Sequence, residues 1–333
     1  MTEMQNPYLM FLGDVGDQLA AKTAKGIVDW RPEWCVGQLK LEGCAADLGI
    51  KDMSIAEGIE NGAKTMVVGI VNSGGFLPDH WISVIVEALE AGMDVASGLH
   101  IRLGDVPEIK AAAERNGRAL FDVRHPSRNV PTGKGTPRQG KRLLAVGTDC
   151  SVGKMYTALA IEKEMLNRGM KADFRATGQT GIFIAGSGIS IDAVVADFIS
   201  GAVEELSPEN DADHWDIIEG QGSLFHPSFA GVSLGLLHGA QADALVLCHE
   251  PTRTHMRGLP HQPLPDLKTC MELNLTTARL TNKNAKFIGV AINTSGLSDA
   301  DRLDYLAKIE KELGLPAVDP FKDGTAPIVD NLP

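Results

Sequence analysis

Short apolar runs rich in Val, Ile, Leu and Met recur at Leu9–Leu12, Thr65–Val71, Asp94–Ala96, Ala119–Val123, Leu143–Val146, Ala172–Arg175, Asp216–Ile218, Ala244–Cys248 and Phe287–Ile292. Strands covered on both faces by crossover helices lose polar alternation and read as continuous runs of this kind, so the pattern predicts parallel sheets. The intervening segments carry a helical period. Ile82, Ile85, Val86 and Leu89 share one face ahead of Gly92, and Ala158, Ile161, Met165 and Leu166 do the same ahead of Gly169. Ser298 and Asp301 form a capping-box pattern before Leu303, Leu306, Ile309 and Leu313, with Gly314 as the stop. Alternating strands and helices define an α/β protein.

The stretch His125–Gln139 holds three prolines and two glycines with no apolar period, so neither a helix nor a strand continues through it. The expected organisation is a Rossmann-like, doubly wound parallel sheet over residues 1–125, a linker over 126–140, and a second α/β domain of P-loop NTPase type over 141–333. The chain of 333 residues has room for two ordinary cores.

Charge and composition narrow the function. With 44% hydrophobic and 22% charged residues the chain is globular, and a net charge of -12 opposes general binding to nucleic acid or anionic membrane. No apolar run approaches the ~20 residues of a membrane span, and the start MTEMQNPYLM lacks an export signal. The five cysteines, Cys35, Cys44, Cys150, Cys248 and Cys270, lack metal-type pair spacing and read as reduced thiols. A cytoplasmic location is expected, and a homo-oligomer is compatible with the sequence.

The chemistry concentrates after the linker. Leu143–Val146 is an expected strand, Gly147-Thr148-Asp149-Cys150-Ser151-Val152-Gly153-Lys154 a glycine-bounded loop, and Met155–Arg168 a helix. That order lets backbone N–H groups, a helix N-terminus and one lysine converge on an anion, as in a P-loop. Two departures matter. The loop is one residue longer than the common spacing, and Met155 occupies the place of the hydroxyl that binds Mg²⁺. Phosphate binding survives these changes, whereas no metal is expected; Thr157 is a less suitable source of the hydroxyl, one helical turn later.

Further strand-end loops follow. Glu219-Gly220-Gln221-Gly222 ends the run Asp216–Ile218, where a carboxylate faces a P-loop ligand or simply caps a turn. Ala176-Thr177-Gly178-Gln179-Thr180-Gly181 follows Arg175, and Arg253 and Arg257 follow the run Ala244–Cys248. In the first domain Gly13-Asp14-Val15-Gly16 falls short of a dinucleotide fingerprint, while Asn72–Gly75 and Ser97–His100 are strand-end loops that suit either a lid or a structural partner.

These residues carry a resemblance. The long P-loop with Glu219-Gly220-Gln221-Gly222 resembles the loop set of dethiobiotin synthetase. The wider set Asn72-Ser73-Gly74-Gly75, Gly98-Leu99-His100, Asp122-Val123-Arg124, Lys154-Met155, Thr177–Gly181, Asp192–Phe198 and Glu219–Gly222 is similar, over nearly the whole chain, to the D-glutamate N-acetyltransferase family, formerly a domain of unknown function. That resemblance implies acetyl transfer from acetyl-CoA, as co-substrate, to the amine of D-glutamate in D-amino-acid breakdown, by direct attack on the thioester.

Such a reaction asks for a base, oxyanion donors and cations for the substrate carboxylates. Glu219 is the expected base with His226 as alternate; the Gly220–Gly222 and Gly178–Gly181 amides are the expected oxyanion donors. Gly147–Lys154 would grip the phosphates of CoA, and Arg175, Gln179, Arg253 and Arg257 would hold the small-molecule amino-acid substrate. Cys150 lies inside the P-loop and is not expected to form an acyl-enzyme. An ATP-dependent ligase of dethiobiotin synthetase type is the alternative reading, disfavoured by Met155, and a non-enzymatic nucleotide sensor is a third.

Overall fold

The computed structural model describes residues 4–70, 77–125 and 130–333. The chain forms two compact units: Met1–Ser127 with Gln179–Ser190, and Arg128–Gly178 with Ile191–Pro333. Both are built on parallel sheets flanked by helices, so the α/β expectation holds. Among the described residues no helix is long and apolar enough to cross a membrane.

The first unit carries strands β1 (Tyr8–Gly13), β2 (Cys35–Lys40), β3 (Thr65–Val68), β4 (Asp94–Ser97) and β5 (Leu120–Asp122), paired in parallel in the order β2-β1-β3-β4-β5. Its main helices are α1 (Lys22–Trp30), α2 (Ile55–Glu60), α3 (Asp79–Glu90) and α4 (Pro107–Asn116). Central β1 is buried along its whole length, which accounts for its unbroken apolar run. Edge strand β2, CVGQLK, has no such run and escapes a hydrophobicity reading. The loop after β1 is filled rather than open. Gly13 sits at φ +56° against the Trp81 ring, and Asp14 accepts a hydrogen bond from Trp81 Nε1 at 2.9 Å. The Asn72–Gly75 loop lies outside the described residues.

The second unit continues with β6 (Lys141–Gly147), α5 (Lys154–Asn167) and β7 (Ala172–Arg175). The chain then contributes α6 (Gln179–Ala185) to the first unit before returning with α7 (Ile199–Leu206), β8 (Trp215–Ile218), α8 (Ala230–Ala240) and β9 (Ala244–His249). A small antiparallel ribbon, β10 (His255–Met256) with β11 (Leu259–Pro263), leads to α9 (Leu267–Ala278), β12 (Lys286–Ile292), α10 (Asp299–Leu313) and β13 (Ala317–Val318). Helix α10 is capped as expected: Ser298 Oγ accepts from Asp301 N at 3.2 Å, and Gly314 closes the helix at φ +65°.

The sheet order is β13-β12-β9-β6-β8-β7, all parallel. From β6 the chain moves to one side, through β7 and β8. It then crosses to β9 on the other side. The crevice between the carboxyl ends of β6 and β9 is therefore a topological switch point, where open α/β sheets bind ligands.

Candidate active site

The P-loop occupies that crevice. Gly147 ends β6, Lys154 opens α5, and between them Ser151 at φ +54° and Gly153 at φ +100° turn the backbone into the left-handed region. Alternation of this kind points successive N–H groups inward and makes an anion-binding nest. Ser151 is a non-glycine residue in that conformation, a cost accepted at functional loops. Lys154 is only 6% exposed, and its ammonium hydrogen-bonds a backbone carbonyl, Asp149 O at 2.8 Å, rather than a carboxylate. Burial pulls its pKa down.

Glu219 lies directly beyond β8. Its Oε2 accepts from Thr177 N at 2.9 Å and from Gly178 N at 3.0 Å, while Thr177 Oγ1 donates to Glu219 O at 2.7 Å. Burial raises the carboxyl from 4.5 to about 7, against the opposing pull of those two N–H donors and of Lys154. The turn after it requires glycine: a Cβ on Gly220 would stand 1.7 Å from Ala145 O and 2.9 Å from Lys154 Cδ. The Glu219–Gly220 turn thus lies flat on β6 with the lysine stem against it.

Several expected roles change. Gly178 N is committed to Glu219, so it is not available as an oxyanion donor. His226 is buried, its Nδ1 accepts from Ser228 N at 3.2 Å, and Nε2 therefore carries the proton given to Arg257 O at 3.1 Å. Both ring nitrogens are thus engaged in this arrangement. Arg175 turns to Asp216 Oδ1 at 2.8 Å and to Asp173 Oδ2 at 3.2 Å, an internal network on strands β7 and β8, instead of waiting for a substrate. Gln179 opens α6 in the first unit, with its amide oxygen against Gly98. Thr157 Oγ1 accepts from Cys248 Sγ on β9 at 3.4 Å.

Arg253 holds the P-loop itself. Its guanidinium donates to Asp149 Oδ2 at 2.8 Å, to Cys150 O at 2.6 Å and to Ser151 O at 3.3 Å, and it also pairs with Glu250. Arg257 gives its backbone N–H to Asp149 Oδ2 at 2.7 Å, while its exposed guanidinium reaches Ser151 Oγ. Cys150 is not an activated thiol: burial outweighs the neighbouring cations and raises its pKa.

His249 escaped the sequence reading because it follows an apolar run as a single residue. It ends β9, its Nδ1 lies 3.0 Å from Thr148 Oγ1, and burial lowers it from 6.5 to about 4, so it is neutral at physiological pH. Asp149, Cys150 and His226 bring ligand-type atoms within 4.8 Å of one another, as do Asp173, His214 and Asp216. Lys154, Arg253 and Arg257 crowd the first cluster with positive charge, and the Arg175 guanidinium fills the second.

Sequence profiles match in two parts. Residues 39–126 match a domain of unknown function described as the DUF1611_N Rossmann-like domain, and residues 129–329 match the DUF1611_C P-loop domain. Two curated proteins named D-glutamate N-acetyltransferase are similar from end to end. The one from Tritonibacter scottomollicae is 55% identical over 329 residues, and the one from a Pseudoalteromonas species 52% over 330, each covering 99% of both chains. The crystal structure of a DUF1611 family protein from Anabaena variabilis superposes with a TM-score of 0.87 at 31% identity, covering 98% of this chain and 99% of that one. Two matched domains in one order, and relatives alike over their whole length, place this chain in the DUF1611 family.

Proposed function

We propose that the chain is a D-glutamate N-acetyltransferase that uses acetyl-CoA as donor. The observation that carries the chemistry is Glu219, a buried carboxyl held near pH 7 beside a lysine-capped anion nest. A base of that pKa is poised to take a proton from an amino-acid ammonium at neutral pH, leaving the free amine to attack the thioester carbon. The N–H groups of Thr177 and Gly178 both bond one carboxylate oxygen, which leaves the other to take the proton. As the amine attacks, the thioester carbonyl becomes an oxyanion; it re-forms as the C–S bond breaks, and the proton lost from the new amide nitrogen passes through solvent to the departing CoA thiolate. The name shared by two relatives at 52% and 55% identity supports glutamate as acceptor. So does the local excess of cations in an acidic chain, Lys154 and Arg257 above all.

The test is a panel of D- and L-amino acids with acetyl-CoA, following free thiol and the mass of the product. D-glutamate should be the best acceptor, with D-glutamine and apolar D-amino acids tens- to thousands-fold poorer, because a missing carboxylate leaves a cation without its partner. Absence of thiol release with every amino acid would overturn the reading.

A further inference from the structure

We infer that the anion seated on the P-loop and Lys154 is a carboxylate of the amino-acid acceptor, and that the pyrophosphate of the acetyl donor binds elsewhere. The inference rests on the reading above, in which Glu219 deprotonates the amine.

Reach is the first argument. The Glu219–Gly220 turn lies against the Lys154 stem, and the Lys154 ammonium stands 3.1 Å from where a Cβ on Gly147 would be, inside the loop. The base and the anion cradle are therefore neighbours. In acetyl-CoA about thirteen bonds separate the pyrophosphate from the sulfur, roughly 15 Å for an extended arm. A pyrophosphate on this cradle would carry the thioester well beyond Glu219, whose proton transfer needs contact at about 3 Å. In an amino acid the carboxylate and the amine share one carbon. Seating the carboxylate on Lys154 brings the amine to the base without any folding of a long arm.

Charge is the second argument. A P-loop that holds a polyphosphate recruits a metal through the hydroxyl after its lysine, and here that residue is Met155. One buried ammonium and a nest of N–H groups balance a single carboxylate. The third argument is the second carboxylate. Arg257 presents an exposed guanidinium at Ser151, on the rim of the same loop, where it suits the side-chain carboxylate of a dicarboxylic amino acid.

The experiment compares Lys154→Ala with the wild type in steady-state kinetics and in calorimetric titration with acetyl-CoA. The expected result is a KM for D-glutamate raised more than about tenfold, with the KM and Kd for acetyl-CoA changed less than about twofold, since a charge-assisted bond to one substrate is lost. Glutarate, which carries both carboxylates of glutamate and no amine, should compete with D-glutamate and not with acetyl-CoA, a measurement that needs only the wild type. Arg257→Gln, at an exposed position, should raise the KM for D-glutamate and leave that for D-glutamine unchanged. Loss of acetyl-CoA affinity in Lys154→Ala, or glutarate competing with acetyl-CoA, overturns the inference. Those binding outcomes are distinct from failure of the wild type to acetylate any amino acid, which would overturn the underlying reading instead.

Discussion

Replacing Glu219 by Gln separates its chemical role from its effect on stability. In the folded protein the carboxyl titrates at about 7 against 4.5 for an ordinary glutamate, a gap worth about 3 kcal/mol at roughly 1.4 kcal/mol per pH unit. Because the folded pKa is the higher one, the folded state keeps a proton that the unfolded state has released. The stabilising contribution is full below pH 4.5 and is lost as pH rises through about 7. His249 does the reverse. Its folded pKa of about 4 lies below 6.5, so stability is lost as pH falls from 6.5 through about 4. The two slopes oppose each other over nearly the same interval and largely cancel in the wild type. Glu219→Gln removes one of them. The variant should be more stable than the wild type at pH 8, by up to about 3 kcal/mol, and should lose that advantage by pH 5, where the His249 slope stands alone. Gln keeps an oxygen for the Thr177 and Gly178 N–H groups, so the fold is preserved. Loss of the base should lower turnover by about 10²–10⁴-fold. Thermal melts at several pH values and thiol-release kinetics read the two effects separately. A melting difference constant from pH 5 to pH 8 would refute the titration argument, and a variant keeping a tenth of its activity would refute the base assignment.

Three further outcomes follow from the same site. Arg253→Met leaves fully buried Asp149 without its guanidinium partner and should cost about 3–5 kcal/mol by denaturant unfolding, with much of that recovered in Asp149→Asn/Arg253→Met. Acetyl-CoA alone should leave the intact mass of the protein unchanged, because burial keeps the Cys150 thiol protonated; an acetyl adduct on Cys150 would restore a covalent route. Activity should persist in excess EDTA, since Met155 offers no hydroxyl to Mg²⁺, and strict dependence on added Mg²⁺ would put an ATP-dependent ligase first.

The central strands were legible because burial on both faces writes itself as unbroken apolar sequence, as in β1, β6 and β9. Edge strands β2 and β13 were not: one carries Gly37 and Gln38, and the other is two residues long. The P-loop was legible for a related reason. Its spacing, its glycines and its strand-loop-helix setting are all local, so the nest at Ser151 and Gly153 follows from neighbours in sequence.

Cations at strand ends behave differently, since their meaning depends on which carboxylates reach them. Arg253 and Asp149 are 104 residues apart, and Arg175 and Asp216 are 41 apart. Each of these arginines is an isolated positive charge in the sequence and a satisfied internal partner in the fold. His226 is closed off in the same way by Arg257 O, 31 residues away. What distinguishes Lys154 and Glu219 is that folding leaves their capacity only partly used. The lysine is buried against a carbonyl, and one carboxylate oxygen takes both N–H bonds. Unspent charge held in a buried, preorganised setting is what a ligand must complete, and it argues for chemistry at this pair more strongly than the number of cations nearby.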